Sequence, residues 1–345
     1  MPHMGAISLR TYAYIVVILF QIAIGRVMAT PTAGPVRTSI ATLIRVDQSG
    51  NGDFKTIQEA IDSVPSNNSE LVFILVKPGI YREKVVVPAD KPFITLSGTR
   101  AEDTLITGSD SGNIFESPTM TVLASDFVGR YLTIENTYGS GDKAVALRVS
   151  GDRAAFYGCR ILSYQDTLLD DTGSHYYSNC YIEGATDFIC GNAASLFERC
   201  HLHSISKNNG SITAQHRNSP SENTGFLFLG CKITGDVGGS AFLGRPWGVS
   251  SRVVFAYSYM SGVINPPGWS DWNDKSKGSG VFYAEYRCYG PGADRAHRVG
   301  WSQTLSNEEA EPLLTKEMIG GRSWLRPPPR YFKRGSKIIR AGGNM

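Results

Sequence analysis

The sequence predicts an all-β solenoid, a right-handed parallel β-helix with short capping helices at its ends. Three observations carry that expectation. Aromatic-rich segments with a common ending recur along the chain, at 155–161, 176–182, 195–202 and 226–233, with 131–134 before them and 253–260 after. Gly, Asn and Asp turns rather than helical stretches separate them. Taking Ile134, Ile161, Ile182, Leu202, Ile233 and Met260 as equivalents, each step is roughly 20 to 30 residues, the length of one coil in a stacked solenoid. Unequal steps then mean loops of different length leaving the coil.

The elements follow in chain order. Arg10 precedes an apolar run from Ala13 to Ile24, and Val27-Met28-Ala29 supplies small residues for cleavage. That run is about a dozen residues, short of the roughly 20 that a spanning helix needs, so residues 1–29 read as a signal peptide and no permanent membrane anchor is expected. Residues 30–45 are expected as a linker, 46–325 as the solenoid and 326–345 as a solvated basic tail. Ile57, Ala60, Ile61 and Val64 fall at helical spacing before Pro65, which suits a helix covering the first coil. Ser306-Asn307-Glu308-Glu309 is a capping box ahead of Leu313, Leu314, Met318 and Ile319, read as the cap of the other end.

Secretion makes the six cysteines eligible for disulfides. Cys159, Cys180, Cys200 and Cys231 end successive repeats and form one internal column, either as small buried hydrophobes or as bridged neighbours. Asn67-Asn68-Ser69 and Asn209-Gly210-Ser211 are glycosylation sequons compatible with that route. Net charge is +3, and beyond Arg10 and Arg26 the chain has 32 basic against 31 acidic residues. No basic stripe of the kind nucleic-acid binding requires is present outside the tail.

Stacking converts sequence distance into proximity. Residues one coil apart lie one strand spacing apart, about 4.8 Å. Asp166 and Asp187 have the same separation as Ile161 and Ile182, and so lie one coil apart. Two carboxylates on adjacent rungs resist ionising together, which separates an acid from a base or nucleophile. Gln165 offers a hydrogen-bond donor for an oxyanion, Arg245 a fixed cation, and Trp247, Trp269 and Trp272 flat surfaces for sugar rings. His201 and His203 alternate on one strand without an acidic or cysteine partner at ligand spacing and read as structural.

These motifs resemble the plant pectinesterases (pectin methylesterases), over about Val46 to Leu325. The matching blocks are Gly79-Ile80-Tyr81-Arg82-Glu83, Ala144-Val145-Ala146-Leu147-Arg148-Val149, Gln165-Asp166-Thr167-Leu168, Asp187-Phe188-Ile189-Cys190-Gly191 and Leu243-Gly244-Arg245-Pro246-Trp247, then Gly268-Trp269 and Tyr289-Gly290-Pro291-Gly292-Ala293. The resemblance implies a secreted, monomeric cell-wall enzyme that demethylesterifies homogalacturonan and releases methanol. It implies no metal or organic cofactor, and a proteinaceous pectinesterase inhibitor as a partner besides the pectin itself. Carried over, Asp187 is the nucleophile, Asp166 the proton donor and then base, and Gln165 the transition-state stabiliser. Lys143, Arg245, Trp247 and Trp269 contact substrate. The family form with an inhibitor-like pro-region is not expected here.

Two departures stand out. The family has Gln where this chain has Lys143, which lies as far before Gln165 as Gln165 lies before Asp187 and is expected to stack with both. That lysine either replaces a lost donor, or pairs with an aspartate and leaves a pectin-binding wall protein without turnover. Cys190 stands where the family carries Phe, which alters the packing behind Asp187.

Overall fold

The computed structural model describes residues 40–334 and 337–340. The signal-peptide segment, residues 30–39 of the expected linker, and the tail residues 335, 336 and 341–345 lie outside them. Among the described residues no helix is long and apolar enough to cross a membrane.

Nearly all strands pair in parallel, in sheets of 13, 7 and 8 strands, and the chain visits the three sheets in turn. One coil runs from Ala154–Tyr157 in the 13-stranded sheet through Arg160–Leu162 in the 8-stranded sheet to Leu168–Asp170 in the 7-stranded sheet. The next begins at Ser174–Ser178, which pairs with Ala154–Tyr157. This is the right-handed parallel β-helix expected from the repeats. Ile134, Ile161, Ile182, Leu202, Ile233 and Met260 are successive register partners in the 8-stranded sheet.

The recurring segment ending has a physical cause. The corner between the 13- and 8-stranded sheets is one residue in the left-handed region: Gly158 at φ 58, Asn179 at 52, Arg199 at 54 and Gly230 at 62. The cysteine that follows turns inward. Its thiol meets a carbonyl of the preceding coil, Cys180 that of Phe156 and Cys200 that of Tyr177, both at 3.5 Å. All six cysteines are free thiols, and Cys288 extends the column. Beside them runs an aromatic ladder through Phe156, Tyr177, Phe197, Phe228 and Phe255, with centroids 4.4–5.3 Å apart and rings within 16° of parallel. Buried aromatic rings of this kind carry a large apolar area and gain further from offset stacking, so the ladder helps to stabilise the central coils.

The ends differ from expectation in three ways. Among the described residues the first strand is Ile40–Val46, so part of the segment read as linker belongs to the sheet. Helix Ile57–Asp62, with its Thr56–Glu59 capping box, covers the first coil as expected. Ser306 and Glu309 also form their capping box, but the helix is only Asn307–Ala310 and lies elsewhere. Ala310 and Ile319 pack with Leu196, Leu227 and Val254 on the outer face of the 13-stranded sheet, because those outward positions are apolar and need covering.

The tail is not simply solvated. Tyr331–Arg334 pairs in parallel with Ile40–Val46, and Lys337–Arg340 pairs antiparallel with Tyr331–Arg334. Phe332 is 2% exposed and meets Phe73 edge-on at 5.0 Å. Residues 331–334 therefore lie beside Ile40–Val46, at the opposite end of the described chain.

Candidate active site

The corner between the 8- and 7-stranded sheets carries the candidate site. In successive coils it is occupied by Asp166 at φ 58 and Asp187 at φ 49. Asp is among the few L-residues that enter the left-handed region readily, since its short side chain can hydrogen-bond locally. The strands that follow, Leu168–Asp170 and Ile189–Gly191, start as register partners, so the one-coil step holds through the corner. Asp166 N–H donates to the Thr186 carbonyl at 3.2 Å, and Thr167 Oγ1 donates to the Glu183 carbonyl at 2.9 Å. Gly184 belongs to the same corner: a Cβ there would lie 2.2 Å from that of Phe188, the fully buried residue that follows Asp187.

The far ends of the same strands are fixed by a fully buried cluster. Asp170 Oδ1 meets His175 Nδ1 and accepts from the Tyr177 hydroxyl, both at 2.6 Å, and Ser195 donates to the other oxygen. His175 Nε2 lies 3.0 Å from the Gly151 carbonyl. Four successive coils are thereby tied together, three of them the coils that present Lys143, Asp166 and Asp187.

Both aspartates open into one cavity of about 280 Å³, also lined by Lys143, Gln165, Cys190, Arg245, Trp247 and Trp272. Arg245 comes from two coils beyond Asp187, after the strand Ala241–Gly244. Its Nε donates to Asp187 Oδ1 at 2.8 Å and its Nη2 to Oδ2 at 2.5 Å, a bidentate pair. The Gln165 side chain makes no hydrogen bond to other described residues, so its amide is available to the cavity. Trp247 is 36% exposed and stacks on His216 at 4.1 Å.

The two carboxyls are electrostatically distinct. Burial, and then the neighbouring Asp187 charge, push Asp166 up to about 7, against the opposing pull of Lys143 and Arg245. Asp187 is also raised by burial, but the Arg245 hydrogen bonds and charge counter it. Asp187 thus has a dedicated cation, while Asp166 has none. Burial, with both aspartates nearby, raises the Cys190 thiol well above its usual range, so it stands in the cavity wall as a neutral group.

Three expectations require correction. Lys143, Gln165 and Asp187 do not form one column: the register of Leu147, Leu168 and Ile189 sets a slightly shorter coil, so Gln165 bridges to Thr186 and bonds to Ala144. The three residues shift by one position per coil yet reach the same cavity. Trp269 is 1% exposed, packed between Phe255 and Tyr283, so it has no face for a sugar. Trp272 lines the cavity instead, with its ring centroid 3.9 Å from the Arg245 guanidinium. Finally, His201 and His203 share the Thr234 hydroxyl at 2.7 Å, and His203 does have an acidic neighbour, Asp236, at 3.3 Å.

Comparison with known proteins gives the family and the fold. The family model described as pectinesterase matches residues 43–322. A putative pectinesterase 11 from Arabidopsis thaliana is 60% identical, over 96% of this chain and 95% of its own length. Pectin methylesterase from carrot superposes with a TM-score of 0.79 at 35% identity, covering 83% of this chain and 95% of that one. A pectin methylesterase solved in complex with a hexasaccharide is 26% identical with a TM-score of 0.69, over 84% and 99% of the two chains.

Proposed function

The chain belongs to the pectinesterase family and is an enzyme of pectin demethylesterification, and on that premise we propose how its residues divide the reaction. The observation that carries the assignment is the unequal pair in one cavity: Asp187 held by two Arg245 hydrogen bonds, and Asp166 pushed up to about 7. A carboxylate oxygen of Asp187 attacks the methyl-ester carbonyl carbon of a galacturonate unit. The Gln165 amide donates to the oxyanion that develops. Asp166, carrying its proton, gives it to the departing methoxide, and methanol leaves an acyl-enzyme. Asp166, now a carboxylate, takes a proton from water as that water attacks the acyl carbon. Asp187 is released, and the product carries a free carboxylate.

Arg245 keeps Asp187 ionised and aimed, since a bidentate guanidinium favours the charged form of its partner. Trp247, exposed and flat, suits a sugar face. Lys143 makes no ion pair with either aspartate among the described residues, which supports turnover over the reading of a binding protein disabled by that lysine. Secretion to the cell wall, a monomeric state and a proteinaceous inhibitor rest on the family resemblance. The test is methanol release from highly methylated pectin, with Asp187→Asn beside the parent. The parent is expected to be active and the variant silent; an active variant rules out the nucleophile assignment.

A further inference from the structure

The chemistry above leaves Trp272 without a role, although it lines the cavity. Its ring covers the guanidinium of Arg245 at 3.9 Å, and Lys277 Nζ lies 4.7 Å from the same ring. A cation on an indole face is attracted by the ring quadrupole, more strongly where water is excluded. The same plate shields the guanidinium from solvent, which strengthens its hydrogen bonds to Asp187. A face occupied by a guanidinium is not free for a sugar ring.

The backbone is bent to put the ring there. Trp272 and Asn273 are both left-handed, at φ 62 and 61. Consecutive non-glycine residues in that region persist only where the surroundings over-determine them. Here the turn holds itself: Trp272 N–H donates to Ser270 Oγ at 3.1 Å, Asn273 N–H to Asp271 Oδ1 at 3.0 Å and Asp274 N–H to the Asp271 carbonyl at 3.0 Å. Further along, the Trp301 indole lies 2.8 Å from where a Cβ on Gly278 would stand, so the loop is seated on a fixed aromatic base.

We propose that Trp272 is a positioning residue, which seats the Arg245 guanidinium so that both of its donors stay on the Asp187 carboxylate. The proposal rests on the assignment of Asp187 as nucleophile. Loss of the ring lets Arg245 swing away from the carboxylate, and Asp187 then spends part of its time misaimed and more readily protonated.

The experiment compares the parent with Trp272→Leu, Trp272→Phe, Arg245→Lys and the Trp272→Leu/Arg245→Lys double variant. Trp272→Leu should lower kcat roughly tenfold with KM within about twofold, and Trp272→Phe, which keeps a ring, should recover most of the loss. In the double variant the two losses should not multiply, because both act through one contact. The titration of the Asp187 carboxyl, followed by ¹³C NMR in the free protein, needs no turnover and should move upward in Trp272→Leu. A raised KM with unchanged kcat would make Trp272 a sugar platform and overturn the proposal; so would multiplying losses or an unmoved titration. Should Trp272→Leu not fold, Trp272→Phe carries the same comparison with a smaller expected shift. A parent that releases no methanol, yet shows the titration shift, overturns the esterase assignment and leaves the positioning role standing.

Discussion

Replacing Asp166 with Asn should stabilise the fold at neutral pH while removing the activity. Asp166 is 8% exposed and its carboxyl has no hydrogen-bond donor among the described residues. Burial and the Asp187 charge raise it from 3.8 to about 7. Between those values the folded protein holds a proton that the unfolded chain has released. Unfolding free energy therefore falls as pH rises through that window, and the full penalty is present above it. A change of that size corresponds to ~4 kcal/mol, an upper figure because the cavity admits some water. Asn carries no charge at any pH, so the variant lacks the penalty.

Urea unfolding at about pH 4, 6 and 8 measures this directly. Parent and variant should be nearly equal at the lowest pH and diverge upward, the variant gaining a few kcal/mol at the highest. Methanol release should be lost throughout, since Asn can neither give nor take the proton. Equal stability at pH 8, or a less stable variant, would refute the reasoning: Asp166 would then be solvated as a carboxylate through the cavity mouth and would not be poised as an acid.

Three further outcomes are expected. Lys143→Gln removes a cation that holds Asp166 down, so the proton stays on to higher pH; the alkaline limb of kcat should move up by a few tenths to about one pH unit, and an unmoved limb would detach Lys143 from the acid. Trp269→Ala empties a core site and should cost ~3–5 kcal/mol in unfolding free energy, with KM unchanged where the variant is folded. Phe332→Ala should cost ~3 kcal/mol by the same measurement, whereas a tail lying free in solvent would show no change.

How much was legible follows from what leaves a periodic trace. The inward apolar residue that ends each strand packs on its equivalents, so Ile161, Ile182 and Leu202 could be aligned from sequence and are register partners. The Asp166–Asp187 pair inherited that accuracy because both lie close to a strand. Lys143 was misplaced because its step was counted from residue to residue across corners, whereas the register is set by the following strands at Leu147, Leu168 and Ile189. Trp269 and Trp272 could not be ranked by spacing, since Gly268 at φ 75 opens an irregular loop with neither strand nor helix period. The tail's Lys and Arg content concealed Phe332, whose burial depends on Phe73 and other residues from the opposite end of the chain. The Ser306 cap was readable because it is local, but the surface its helix covers was not.

The solenoid itself explains why this site draws on several coils. Stacking places equivalent side chains about 4.8 Å apart, so any two carboxylates at the same corner position repel across adjacent coils. Two identical neighbours would share a proton and neither would have a defined role. The chain breaks the symmetry from outside the pair: Arg245, two coils beyond Asp187, gives its whole bidentate fork to that one carboxylate, while Lys143, one coil before Asp166, acts only through its charge. The proposed nucleophile and the proposed acid are thus distinguished by which neighbour reaches which corner, although both are Asp in the same backbone conformation. A solenoid with the two aspartates and without Arg245 would keep the fold and lose the division of labour.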